Sequence, residues 1–278
     1  MPTNKKLTYT RHSKNLPISP QRERLKQVQE QAIDNSLNSS RSISGYEKTD
    51  GVLSYNIVCV ISGGERKERD FLRLLIKQKE LHSLRIVFIS KDGQGLQPYQ
   101  MQEKWTEIKN TKEFIASGNV YHLDTMDKVF LLTDVDEFYE QLDKILSYRN
   151  ESDIVQWIIS NPCFEIWLYY CFKNNPDKDL ASIKPLSASK RSQEMKHLGN
   201  TVVSGGLNPF LAFENMELGI QNSFEHYAED TKSIPILYAT QMHKMAQFLI
   251  DTMNRNANEY NEFVKKKKEW REKMKKQL

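Results

Sequence analysis

The sequence predicts an α/β fold: a four-stranded, mainly parallel sheet flanked by helices, followed by a mostly helical C-terminal extension. Three observations predict it. Four short, continuous apolar runs lie between Tyr55 and Ser160, with the length and texture of strands buried on both faces. Polar or amphipathic stretches of helical period separate them. Each run ends in residues that turn the chain. Strands alternating with helices imply βαβ units, which join into a parallel sheet through right-handed crossovers.

The elements follow in order. Residues 1–54 are poor in apolar side chains and rich in Ser, Asn, Gln, Lys and Arg. Such a segment cannot bury enough surface to offset its ordering entropy, so a flexible arm is expected, with one short helix near Ser19 to Ala32. The α/β domain is expected over residues 55–175. "NIVCVIS" (Asn56 to Ser62) is the first strand, stopped by Gly63-Gly64, and "ERKERDFLRLLIKQKELH" continues with Phe71, Leu72, Leu74, Leu75 and Leu81 on helical spacing. "LRIVFIS" (Leu84 to Ser90) is the second strand, closed by "KDGQG", and a polar helix is expected around Met101 to Ser117. "KVFLLT" precedes the helix "EFYEQLDKILSYR", where Phe138, Leu142, Ile145 and Leu146 share a face. "DIVQWIIS" (Asp153 to Ser160) is the fourth strand. "NPCFEIWLYYCFK" then opens a helix with Pro162 in its first turn and Ser160 or Asn161 as cap.

Residues 176–278 form the extension. "SGGLNPF" marks a turn, and "IPILYATQMHKMAQFLIDTM" reads as one strongly amphipathic helix. "EYNEFVKKKKEWREKMKKQL" is a basic helix with Phe263, Trp270 and Met274 near heptad spacing. It suits a nucleic-acid or acidic-membrane contact, or simply a solvated helix face.

Composition narrows the function classes. Among 278 residues, 38% hydrophobic, no apolar run approaches the ~20 residues of a membrane span, and the N-terminus lacks the apolar core of a secretory signal. Cys59, Cys163 and Cys171 have neither disulfide-framework nor metal-ligand spacing, and read as buried thiols in a reducing cytoplasm. The six histidines are scattered, which argues against zinc. A net charge of +4 permits a nucleic-acid partner without requiring one.

In an open α/β sheet, ligands gather beyond the carboxyl ends of the strands. "SGGERKE", "TDVDE" and "SNPCFE" all fall there. Asp134 and Asp136, two apart, point the same way while the backbone stays extended. Two carboxylates facing one space call for a cation or a shared proton, and Mg²⁺ is a hard cation that takes such oxygens. Capping accounts for the acids equally well, since Asp134 and Glu137 have capping-box spacing and Asp136 would complement the helix dipole. Gly63 and Gly64 lead into a helix N-terminus that suits a phosphate, with Arg66 and Lys67 beside it. Glu65 and Glu68 are ligands or first-turn acids. Glu165, amid Phe164, Ile166, Trp167 and Leu168, needs either a helix-edge position or a partner.

These three segments resemble the RloB-like family, whose fold is similar to Toprim, the Rossmann-like metal-binding domain of topoisomerases and primases. "ISGGERKERDF" resembles that family's EGExTExxYF segment, "VFLLTDVDEF" its strand ending in an Asp-x-Asp pair, and "SNPCFEIWLYYCF" its Ser-Asn-Pro-Cys-Phe-Glu-Leu-Trp signature. A weaker likeness lies in "ATQMHKMAQFL" around His243. The resemblance implies a Mg²⁺- or Mn²⁺-dependent nuclease of anti-phage, abortive-infection or restriction loci. Asp134 and Asp136 would ligate the metal, Glu165 or Glu65 would complete the catalytic site, and Gly63, Gly64, Arg66 and Lys67 would meet phosphate. Its target would be DNA or RNA, often with an ATPase partner beside it; a homo-oligomeric state is left open. One departure stands out. Gly63, or Ser62 after a one-residue shift, stands where Toprim carries a strand-one glutamate. This motivates a rival expectation, a degenerate, non-catalytic interaction subunit docking on an ATPase. A third is a plain nucleic-acid binder using the basic tails.

Overall fold

The computed structural model describes residues 56–77, 84–91, 95–148 and 154–275. The first part runs β1 (Asn56–Ser62), α1 (Arg66–Lys77), β2 (Leu84–Ile89), α2 (Pro98–Thr111), β3 (Glu113–Ala116), β4 (Asn119–His122), β5 (Lys128–Asp134), α3 (Tyr139–Ser147) and β6 (Val155–Ser160). The chain continues through α4 (Glu165–Tyr170), α5 (Pro176–Asp179), α6 (Ala188–Val202), α7 (Pro209–Glu214), α8 (Met216–Glu225) and α9 (Met242–Lys275). β1, β2, β5 and β6 make one parallel sheet in the order β2-β1-β5-β6. This is the α/β architecture expected from the four apolar runs.

Alternation along the strands builds two cores. Val58, Val60, Ile86, Phe130, Leu132 and Ile158 face Phe71 and Leu72 of α1, Trp167 and Tyr170 of α4, and Met245 and Leu249 of α9. Cys59, Ile61, Val87, Val129, Leu131 and Ile159 face Met101 and Ile108 of α2 and Leu142 and Ile145 of α3. Helices cover both faces, which is why the strands read as unbroken apolar runs. All three cysteines are buried free thiols. No helix among the described residues is long and apolar enough to cross a membrane.

Several elements differ from expectation. The helix expected near 101–117 ends at Thr111, and an antiparallel hairpin of β3 and β4 follows. Ser117 and Gly118 take positive φ (50° and 74°) at its turn, the conformation a two-residue hairpin loop requires. Pro162 lies outside any helix: Asn161–Pro162 is a cis peptide, and α4 begins at Glu165. Neither Ser160 nor Asn161 caps α4. Ser160 Oγ pairs with Thr240 Oγ1 (2.7 Å), and Asn161 Nδ2 donates to the Pro235 carbonyl (2.8 Å).

The amphipathic helix begins at Met242, not at Ile234. Residues before it run along β6 instead. Asn161 N–H donates to Ala239 O, Tyr238 N–H to Asn161 O and Gln241 N–H to Ile159 O, each at 2.9 Å. Pro235 lacks a donor and biases its predecessor away from helix, which favours the extended path. From Met242 the helix is continuous through the basic stretch to Lys275. The expected arm of residues 1–54, its short helix, Leu81, and the side chains of Leu74, Phe263, Trp270 and Met274 lie outside the description.

Candidate carboxylate site at the sheet edge

The site forms where β1 and β5 end. On β5, Phe130, Leu132 and Asp134 fall on one face by strand alternation, so Asp134 carries the line of the apolar core out to the sheet edge. β5 stops there. Val135 N–H donates to Ser160 O (2.9 Å), Asp136 N–H to Pro162 O (3.2 Å), and Asp136 takes a left-handed φ of 30°. Aspartate tolerates that region better than most residues. The extended-backbone argument for aligning Asp134 with Asp136 therefore does not apply, since a turn separates them. Capping also fails as an account of these acids: α3 starts at Tyr139 with Phe138 at the cap and no side-chain cap bond.

Two further acids face Asp134. Glu165, the first residue of α4, is buried and holds an ion pair with Lys67 Nζ of α1 (3.3 Å). Glu68 of α1 is 8% exposed. Burial pushes the Glu68 carboxyl up to about 7, its own backbone N–H opposes the rise, and the charge of Glu165 adds to it. Burial likewise holds Asp134 well above the usual carboxylate range, reinforced by the charges of Glu68 and Glu165. Asp134 has no hydrogen-bond or ion-pair partner for its carboxylate among the described residues. Asp136 is raised by burial, against a hydrogen bond from Ser192 and the charge of Lys196.

Ser192 and Lys196 come from α6, one helical turn apart. Buried Ser192 also donates to Pro162 O (3.4 Å) and so ties α6 to the turn after β6. Burial works against the Lys196 ammonium, but Glu165, with Cys163, Asp134 and Asp136, outweighs it and raises its pKa. Four carboxylates thus face two ammonium groups, leaving an excess of negative charge. Among the described residues, no group of three or more His, Cys, Asp and Glu side chains is drawn together as a metal centre.

The remaining expected residues occupy the same edge in other roles. Gly63 N–H donates to Leu132 O (2.8 Å) and Gly64 N–H to Ser62 Oγ (3.2 Å), so both amides are engaged within the protein. Gly95 packs directly on Gly63: a Cβ on Gly95 would stand 1.6 Å from the Gly63 carbonyl oxygen. Glu65 is partly buried just before α1, and Arg66 is exposed at its start. Ser192 and Lys196 were not identified from the sequence, because nothing in the polar "SASKRSQEMKHLGN" distinguishes them from a solvated face.

Comparison with known proteins agrees with this geometry at the level of the family. No curated protein and no solved structure matches the chain. The sequence model described as RloB-like protein matches residues 57–269, a span that takes in the whole sheet, every acid of the site and the helices bearing Ser192 and Lys196. The chain belongs to the RloB-like family.

Proposed function

We propose that this chain is a Mg²⁺-dependent phosphodiesterase of the Toprim type, a nuclease serving anti-phage defence, with Mn²⁺ able to replace Mg²⁺. Asp134 is the observation that carries the proposal. It ends a buried strand without a donor of its own, amid other acids, at the edge where α/β folds receive ligands. Such crowding disfavours ionisation unless a cation enters. The oxygen-only donor set fits a hard divalent ion that keeps several waters and takes phosphate oxygens. Asp134, Asp136 and Glu165 would hold it. When bound, such an ion supplies Lewis acidity toward a phosphodiester oxygen and a lowered pKa of coordinated water.

The chain's own residues supply the rest. Lys67 and Arg66 flank the entrance, where a nucleic-acid backbone would meet positive charge, and Lys196 approaches from α6. Ser192 holds the Asp136 turn against α6. The test is cleavage of single- and double-stranded DNA and RNA with Mg²⁺, Mn²⁺ or EDTA. Wild type is expected to cut at least one class, with Asp134→Asn losing activity by ~100-fold or more, as removal of an electrostatic stabiliser commonly does. Full activity in Asp134→Asn would overturn the reading.

A second reading has its own support. Lys67 already neutralises Glu165, and no closed metal centre is assembled among the described residues. On that reading the chain is a non-catalytic subunit for an ATPase partner. It predicts no cleavage of any nucleic acid and no divalent-ion effect on stability.

A further inference from the structure

Glu68 needs an explanation that a helix cap does not provide. It stands in the first turn of α1, where an acid ordinarily complements the helix dipole from the surface. Here the side chain is folded inward and only 8% exposed. The fold makes room for it in one specific place. A Cβ on Gly64 would lie 1.8 Å from Glu68 Oε1 and 2.1 Å from its Cδ, so the carboxyl group occupies the space any other residue at 64 would fill. No ion pair and no side-chain donor satisfies it among the described residues. Its neighbours in charge are other acids, Glu165 from α4 and Asp134 from β5, with Lys196 and Lys67 as the cations that oppose them. A buried carboxylate aimed at two further carboxylates, over a glycine that leaves it room, is the arrangement of an oxygen-donor set lacking its cation.

We propose that Glu68 is the third oxygen donor of the divalent-cation site, delivered toward Asp134 and Glu165 across the space that Gly64 leaves open. The inference rests on the metal-dependent reading above and adds a ligand to it. It also assigns the role of the carboxylate that the end of β1 lacks, where Ser62 and Gly63 stand, to a side chain from the following helix rather than to Glu65.

The test is Mn²⁺ titration of the full-length protein, followed by thermal unfolding against an EDTA control and by direct Mn²⁺ binding. Wild type, Asp134→Asn, Glu68→Gln and Gly64→Ala are compared, each checked for native far-UV circular dichroism. A ligand that binds only the folded state raises its stability by mass action, so the metal-dependent difference separates binding from general stability. Wild type should show a rise and Asp134→Asn should lose it. Glu68→Gln and Gly64→Ala should each weaken Mn²⁺ binding by ~10-fold or more, the least expected when a metal site loses a supporting group. If Gly64→Ala fails to fold, the isosteric Glu68→Gln decides alone. A Glu68→Gln response equal to wild type, with Asp134→Asn still lost, overturns the role of Glu68 and leaves the metal site standing. Absence of any rise in wild type overturns both.

Discussion

The two faces of the sheet use the same strands for different ends. Toward α2 and α3, β5 presents Val129, Leu131 and then buried Thr133 and Val135, and the apolar layer closes over the strand end. Toward α1 and α4 it presents Phe130, Leu132 and then Asp134, and the layer gives way to acids. One residue of register separates a sealed core from a reactive edge. The second face is also floored by aromatics: Phe71 meets Phe164 and Trp167 edge-on, with centroids 5.9 and 6.0 Å apart. Edge-to-face pairs add specific geometry to apolar burial. The contrast teaches that mutually repelling carboxylates are held where the packing beneath them is rigid and directional.

The strongest way to break the comparison is to remove that floor. Trp167→Ala is expected to cost ~3–5 kcal/mol and to diminish any metal-dependent stabilisation, because α1 and α4 both rest on it. Ile108→Ala on the opposite face should cost ~2–5 kcal/mol and leave the metal response intact. Urea unfolding with Mn²⁺ and with EDTA reads both.

Next comes pH. The Glu68 carboxyl stands at about 7 in the folded protein against an ordinary 4.5, and Asp134 and Asp136 are raised as well. A carboxyl that holds its proton more tightly when folded contributes stability that is complete below its unfolded pKa and is lost as pH climbs through the folded value. In EDTA the unfolding midpoint should therefore fall between pH about 4.5 and about 7 from this source. His243, buried and held below its ordinary 6.5, pulls the other way across part of that window. The readout is consequently the difference between wild type and Glu68→Gln, which should show the shallower fall. Identical pH profiles would show that the acid face does not set the slope.

Smaller effects sharpen the edges of the contrast. Gln241→Ala removes the Oε1 that accepts the Ile159 N–H and is expected to cost ~1–3 kcal/mol by denaturant unfolding, since that buried donor loses a partner. The Lys104–Glu107 pair on the outside of α2 (2.7 Å) is solvated, so Lys104→Ala should change stability by less than ~0.5 kcal/mol.

Much of this was legible in the residues. β1, β2, β5 and β6 announced themselves because burial on both faces leaves no polar alternation to confuse a strand with a loop. The hairpin did not: in "EFIASGNVYH", Ile115 and Val120 are paired and exposed (68% and 57%), so the pattern of a buried strand is missing. Ile234 to Gln241 read as helix because its apolar spacing suits either form, and only the hydrogen bonds to β6 decide it. At the site, Asp134 and Glu165 stood out by type and place. Glu68 was visible as an acid in a first turn, but its inward path depends on the space above Gly64, which is a three-dimensional fact. Asp136 was visible too, though its relation to Asp134 passes through a turn that period-two reasoning cannot foresee.

The segment that borders β6 carries a consequence for how the chain is made. Ile159 and Gln241 are 82 residues apart, and Thr240 and Ala239 meet the end of the same strand. During synthesis, β6 leaves the ribosome with a bare edge and stays so until residue 241 has followed. Ser192 and Lys196 are likewise translated well after the acids they steady. An exposed strand edge on a growing chain invites wrong pairing. It also means that the acidic cleft is complete only when most of the polypeptide exists, so truncated translation products carry the strands of the site without its finished form.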